Sequence, residues 1–294
     1  MLRLNEFMRV LIVGSKGQLG FELLRSVPAQ AAVLGLDLPE LDVTDESALS
    51  RMVADFKPTH IINAAAYTAV DHAQANQATA FAVNEHAARA LAMIAVKQNS
   101  RLIHVSTDFV FDGLAGRPYL PNDPIKPLSV YGQSKAQGDA AVLESHPNNS
   151  LIIRTAWVYS SHGGNFVKSI IKLLRERDQL RIIADQIGTP TWAASLAQCI
   201  WTFAPRSEVG LWHFTDAGVA SWYDLAVAVA EEALILGLID QMKPIAPIRT
   251  EDYPTPAKRP SFSVLDKTPT WAITGPPNHW RQNLRRMLSE LPRN

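Results

Sequence analysis

Short, unbroken apolar runs alternate along this chain with longer stretches whose apolar residues recur every three or four positions. MRVLIVG (8–14), VLGLD (33–37), HIINAAA (60–66), RLIHVST (101–107) and SLIIRTAWVY (150–159) are rich in β-branched residues and show no strict polar alternation. That is the pattern of strands buried on both faces of a parallel sheet. Leu19, Leu23 and Leu24 fall at helical spacing after the first run, and DESALSRMVADF (45–56) predicts a second helix. Pro58 interrupts the chain before the third run. Phe81, Val83, Leu91, Ile94 and Ala95 form an apolar stripe that predicts one long helix over 73–98. A helix carrying Tyr131 follows the fourth run. Strands alternating with helices imply parallel βαβ units, hence an α/β chain with a doubly wound sheet.

Beyond the fifth run, GGNFVKSIIKLLRER (163–177) predicts an amphipathic helix, and LRIIADQIGTPT leads into another. These segments predict a smaller C-terminal α/β domain for substrate binding. The expected division is a dinucleotide-binding domain over 1–158, joined by part of 190–222, and a substrate domain from 159–189 and 223–294. No internal repeat or low-complexity segment interrupts the pattern.

Composition narrows the function. The 294 residues hold 28 Lys plus Arg and 28 Asp plus Glu, so no basic stripe points to nucleic acid. Cys199 is the single cysteine and lies in the apolar run SLAQCIW, which allows no intrachain disulfide and fits a reducing, cytoplasmic setting. No apolar stretch reaches the length of a membrane span. The opening MLRLNEF carries Glu6 and runs straight into a strand, unlike a signal peptide; residues 1–7 are expected to be a short extension or an early start.

The chemistry begins at the first strand-to-helix turn. Gly14, Gly17 and Gly20 stand there as G-x-x-G-x-x-G, enclosing Gln18 and Leu19. Glycines at this turn allow a tight bend, close approach of backbone to a pyrophosphate, and close helix–strand packing, so a Rossmann-type dinucleotide site is expected. Asp37, 17 residues after Gly20, ends the second strand where an acid accepts from the ribose hydroxyls of adenosine. Its charge opposes a 2′-phosphate and favours NADH. Asp42 and Val43 would border the adenine, and the small residues Ala64, Ala65 and Ala66 leave room for the dinucleotide along the sheet edge. Tyr131 and Lys135, four apart, share a helix face. A lysine ammonium beside a phenol favours the phenolate, which suits a general acid or base.

Seven segments then occur in a telling order: GSKGQLG, NAAAYTAVD (63–71), VSTDFVFDG (105–113), PLSVYGQSK (127–135), RTAWVYS (154–160), DQIGTPT (185–191) and YPTPAKRP (253–260). Together they resemble the dTDP-4-dehydrorhamnose reductase family of extended short-chain dehydrogenases/reductases, over residues 8–291. The resemblance implies reduction of the 4-keto group of dTDP-4-dehydro-L-rhamnose by NADPH or NADH to give dTDP-L-rhamnose, with a different dTDP-4-keto-6-deoxyhexose as the alternative substrate. It places Tyr131 as proton donor, Lys135 as its tuner and a ribose ligand, and Thr107, on the opposite strand face from Ser106, against the carbonyl oxygen. Strand alternation turns Asp108 away from Thr107 and leaves it structural, although it also stands with Val70, Trp157, Asn165 and Arg259 among the candidate substrate-side residues. Trp157 would be an apolar wall beside the sugar if it is not core packing, and Arg259, in a loop stiffened by prolines, would grip the diphosphate.

Some relatives are similar in forming dimers bridged by magnesium through glutamates. Here the helix after DQIGTPT reads WAASLAQ with no acid, and only Glu290 stands where another ligand would be expected. No structural metal is expected, and the chain should be a monomer or weak homodimer. A competing reading is a regulatory subunit that binds NADP without turnover, as the β subunit of methionine adenosyltransferase does on the same fold. The complete Thr107, Tyr131 and Lys135 set favours catalysis.

Overall fold

The computed structural model describes residues 7–292, so the expected N-terminal extension lies almost wholly outside the described residues. The first half runs β1 (Met8–Val13), α1 (Gln18–Arg25), β2 (Ala31–Leu36), α2 (Glu46–Phe56), β3 (His60–Asn63), α3 (Val70–Ala75), α4 (Gln77–Phe81), α5 (Ala87–Gln98), β4 (Arg101–Thr107), α6 (Val130–Ser145) and β5 (Ser150–Thr155). The second half begins with β6 (Val158–Tyr159), α7 (Phe166–Glu176), β7 (Leu180–Ile183), β8 (Ile187–Gly188), β9 (Thr191–Trp192) and α8 (Ala193–Phe203). It continues through β10 (Gly210–His213), β11 (Ala220–Ser221), α9 (Trp222–Ile235), β12 (Ile245–Ile248), α10 (Thr268–Thr274) and α11 (Trp280–Ser289).

Six strands form one parallel sheet in the order β2-β1-β3-β4-β5-β10. Alternate side chains explain why its strands are apolar throughout. Val10, Ile12, Ile62, Ile103, Leu151 and Ile153 pack with Leu19 and Leu23 of α1 and Leu196 and Ile200 of α8. Their neighbours Leu11, Val13, Ile61, Leu102 and Ile152 pack on the other face with residues of α2 and α5. Each fully buried aliphatic side chain contributes about 1.5–3 kcal/mol, so both faces must be covered. A third core joins α7, α9 and α11 through Ile170, Leu174, Leu225, Val229, Leu284 and Met287. The order of strands reverses between β1 and β3, which opens a crevice at their carboxyl ends. Among the described residues no helix is long and apolar enough to cross a membrane.

Three sequence expectations change. The long helix over 73–98 is segmented: it starts at Val70, breaks at Asn76 (φ −119°, ψ 50°) and passes through a wide π turn at Ala82–His86. The cause is Asn84. Its carboxamide accepts from Tyr67 N (2.9 Å) and donates to Tyr67 O (3.1 Å) and Ser134 Oγ (2.9 Å), and its carbonyl abuts Gly138 too closely for a Cβ there. Helical periodicity cannot register such a local widening. The third strand ends at Asn63, so Ala64–Ala66 leave the sheet. The fifth ends at Thr155, because Trp157 adopts left-handed backbone (φ 49°) and turns β6 away to pair with β9.

Asp216, just beyond β10, fastens β9 to the sheet: its Oδ2 accepts from Trp192 N (3.0 Å), while buried Oδ1 has no partner. Burial is the largest influence on its carboxyl and pushes it up to about 6. A carboxyl raised on folding stabilises fully below its unfolded pKa, and that contribution disappears as pH rises through the folded value. Asp216→Asn is therefore expected to raise Tm by several degrees near pH 8, from a relief of about 2–3 kcal/mol, and to change little near pH 4. A melting series between those limits that parallels the wild type would show that Asp216 is not titrating.

Candidate active site

The glycine turn is built by crowding. Gly14 (φ 84°) sits where a Cβ would meet Ala65 N at 2.5 Å, and a Cβ on Gly20 would strike Gly14 O. Gly17 differs, because its nearest neighbour to a Cβ is 3.4 Å away. Internal packing does not require glycine there. Gly17 also caps α1, which has no side-chain cap and no acid in its first turn. Free N–H groups and an open backbone at that helix start suit the pyrophosphate of a dinucleotide. Gln18 opens α1, with Oε1 accepting from Asn165 Nδ2 (3.0 Å), and Leu19 turns into the core, so only its backbone faces this site.

Asp37 lies at the end of β2, as the spacing predicts. Its carboxylate accepts from Lys16 N (2.9 Å) and Leu38 N (2.8 Å), which fixes it against the glycine turn. Sequence reasoning passed over Lys16, although it lies inside GSKGQLG. Its ammonium donates to Leu38 O (2.7 Å) and to Glu40 (2.7 Å), so a cationic side chain shares the turn after β2 with Asp37. Asp37→Ala is expected to lower kcat/KM for NADH about tenfold while affecting NADPH less, because two ribose hydrogen bonds go and Lys16 remains. An unchanged ratio of the two cofactors would remove Asp37 from cofactor selection. Asp42 is exposed and holds Thr44 N (2.8 Å) and Thr44 Oγ1 (2.7 Å) in a local turn. Val43 packs partly against the core, and Ala64, Ala65 and Ala66 are half-buried along the sheet edge.

Thr107, Asp108 and Tyr131 meet at the carboxyl end of β4. Ser129 caps α6 by accepting from Gly132 N (3.2 Å), which puts Tyr131 in the first helical turn. Thr107 Oγ1 donates to Asp108 Oδ1 (3.1 Å) and accepts from Phe109 N (3.2 Å). The Tyr131 ring lies edge-on to Phe109 at 5.5 Å and packs in one apolar cluster with Val70, Tyr67 and Phe81. Burial pushes the phenol up to about 12; the Thr107 hydroxyl lowers it, and Asp108 and Asp139 raise it further. Asp108 Oδ2 is buried without a partner, and burial lifts this carboxyl to about 6.

Lys135 is not where the four-residue spacing suggests. Its ammonium donates to Val105 O (2.7 Å) and approaches His104 Nε2 (3.3 Å) rather than bonding the phenol. Helical spacing gives the face but not the rotamer, and a buried ammonium turns to the nearest carbonyl. The substrate-side residues divide likewise. Trp157 stacks on Trp222 (3.6 Å, 6° between planes) above Gly188, with Phe166 against Trp222. Trp157 is thus one of a stacked pair, and Trp222 gave no signal because it opens a helix far along the chain. Asn165 is a helix cap: it accepts from Lys168 N (3.1 Å) and donates to Ser160 O (2.7 Å) as well as to Gln18. Arg259 forms a fork on Asp71 (2.7 and 3.1 Å) and also donates to Thr255 Oγ1 (2.8 Å) and Ala257 O (3.1 Å). That guanidinium holds the Asp71 carboxyl below its ordinary value. Glu290 is occupied by Arg25 (2.7 Å) and Ser161 Oγ (2.7 Å), and among the described residues no three acids, histidines or cysteines converge as a metal site.

The model of the RmlD substrate binding domain family matches residues 8–293. The chain belongs to the dTDP-4-dehydrorhamnose reductase family. It is 41% identical over 286 residues to the dTDP-4-dehydrorhamnose reductase of Aggregatibacter actinomycetemcomitans, covering 94% of this chain and 97% of that one. The Escherichia coli enzyme of the same name is 36% identical, with 97% and 98% covered. The crystal structure of dTDP-4-dehydrorhamnose reductase from Bacillus anthracis in complex with NADP superposes with a TM-score of 0.91 at 32% identity, covering 97% of this chain and all of that one. Family membership thus accounts for the seven sequence segments and for the parallel sheet that carries them.

Proposed function

We propose that this chain reduces the 4-keto group of dTDP-4-dehydro-L-rhamnose to give dTDP-L-rhamnose, using NADPH or NADH. The observation that carries the proposal is the meeting of Thr107, Asp108 and Tyr131 at the carboxyl end of β4, with Lys135 one helical turn after Tyr131, in a sheet whose first strand ends in a glycine turn. The bound nicotinamide cofactor supplies the hydride for the carbonyl carbon. Thr107 hydrogen-bonds the carbonyl oxygen without itself titrating, and Tyr131 delivers a proton to that oxygen as charge builds on it. A phenol raised to about 12 is fully protonated near neutrality, the state an acid catalyst needs. Lys135, one helical turn on, supplies the positive charge that steadies the phenolate left behind. Val70 and the Trp157–Trp222 pair would wall the sugar, with Asp108 and Arg259 as its polar contacts.

The same reading assigns the dinucleotide to 1–158 with part of 190–222, and the sugar nucleotide to 159–189 and 223–294. The packing of α8 and β10 with the large sheet, and the separate core of α7, α9 and α11, support that division. A soluble cytoplasmic setting fits a nucleotide-sugar substrate. The test is oxidation of NAD(P)H, followed at about 340 nm, with purified dTDP-4-keto-6-deoxy sugars. Turnover with dTDP-4-dehydro-L-rhamnose is expected; tight NADP binding with no turnover of any such sugar would favour the regulatory-subunit reading instead.

A further inference from the structure

The segment 160–165, between β6 and α7, lies against the glycine turn and the helix that the turn opens. Ser160 Oγ donates to Glu22 Oε1 of α1 (2.8 Å) and accepts from His162 N (3.1 Å). Ser161 Oγ donates to Glu290 at the end of α11 (2.7 Å), and Asn165 Nδ2 donates to the Gln18 side chain (3.0 Å). Between these anchors His162 lays its ring flat on Phe21 of α1, with centroids 4.4 Å apart and 9° between planes. Its Nε2 meets Lys16 O at 2.9 Å. A carbonyl only accepts, so Nε2 carries the proton and donates.

Anchoring this segment does not call for the histidine, since Ser160, Ser161 and Asn165 already fasten it to side chains of α1 and to Glu290. Among the described residues, His162 is the one member of 160–165 that bonds to the backbone of the glycine turn. That bond falls on a peptide with a second restraint. Gly17 N donates to Gly14 O (3.3 Å), so the planar Lys16–Gly17 peptide is held at its carbonyl by His162 and at its amide by Gly14. On the other side of the same residue, Lys16 N donates to Asp37 Oδ2 (2.9 Å). The restrained peptide immediately precedes the amides of Gln18 and Leu19 that open α1, and its plane sets the direction in which the helix start faces.

We propose that His162 is a positioning residue for the nicotinamide cofactor: from outside the first βα unit it fixes the Lys16–Gly17 peptide, so that the start of α1 is already set to receive the pyrophosphate. The proposal rests on the glycine-turn reading above. A turn that is held before its ligand arrives loses less freedom on binding, which strengthens the complex without direct contact. The pyrophosphate is common to NADH and NADPH, so both should depend on His162 by the same factor. Asp37, at the ribose, is expected to affect the two unequally. Nothing in SSHGGNF marks the histidine for this task, because its partner lies 146 residues earlier in the chain.

Fluorescence titration of the full chain with NADH and with NADPH, in the absence of sugar, tests this. His162→Phe keeps a flat ring for Phe21 but has no donor, and it is expected to raise both dissociation constants by roughly three- to tenfold, what one hydrogen bond usually contributes. His162→Gln keeps an N–H within reach of Lys16 O and should return both to within about twofold of wild type. A glutamine variant as weak as the phenylalanine one overturns the proposal, since the donor then does not matter. Tm measured on the same samples separates positioning from support: a His162→Phe chain with lowered Tm and wild-type dissociation constants overturns the proposal, as does a rise confined to one cofactor. If His162→Phe does not fold, His162→Ala, which brings no bulk, is expected to weaken both cofactors alike, and unchanged constants again overturn it. A wild type that binds neither cofactor would defeat the glycine-turn reading and this proposal with it. A wild type that binds both, with affinities the variants keep, defeats this proposal alone.

Discussion

Tyr131→Phe is expected to lower kcat by about 10²–10⁴-fold, the usual worth of a positioned general acid, while cofactor and sugar binding persist. Phenylalanine keeps the ring, its edge-on contact with Phe109 and its packing with Val70 and Tyr67, so the change removes little except the proton. The fold should hold for the same reason. Single-turnover reduction followed by cofactor absorbance separates this loss from slow product release. A variant that reduces the ketone at close to the wild-type rate would mean that the proton comes from elsewhere, with water held on Thr107 the next candidate.

Arg259→Ala is expected to raise KM for the sugar nucleotide by about 30-fold or more, the equivalent of losing roughly 2–5 kcal/mol in a charge-assisted contact, with cofactor affinity unchanged. The guanidinium is held by Asp71, which both orients it and offsets its charge. A diphosphate must therefore draw on the guanidinium while Asp71 still competes for it. Asp71→Asn separates the two roles: weakening the competitor should leave KM near or below the wild-type value, unlike removal of the arginine. A change in KM of less than twofold for Arg259→Ala would reduce it to a structural partner of Asp71.

The elements of the sheet were legible in the sequence because their signal is local and repeated. A strand buried on both faces must be apolar at every position, as Val10, Leu11, Ile12 and Val13 are, and glycine is needed wherever a Cβ would fall within 3 Å of neighbouring backbone, as at Gly14. Thr107 and Tyr131 could be placed together because a strand end and the following helix start are fixed by that alternation. The family resemblance added the sugar, which periodicity cannot supply. What the chain order could not give was anything set by a contact between distant segments. Asn84 widens its helix because Tyr67 and Ser134 lie against it, and Trp157 leaves the sheet to meet Trp222. Asn165 caps its helix and reaches Gln18, and Arg259 meets Asp71 across 188 residues. Lys135 is the clearest case: its spacing from Tyr131 is a property of the helix, but its direction was decided by the carbonyl of Val105 on β4. Sequence determines which residues can share a face, since that follows from helix and strand periods. The tertiary structure decides which partners a buried polar group finds, since in the interior each must be satisfied by whatever the packing brings within reach.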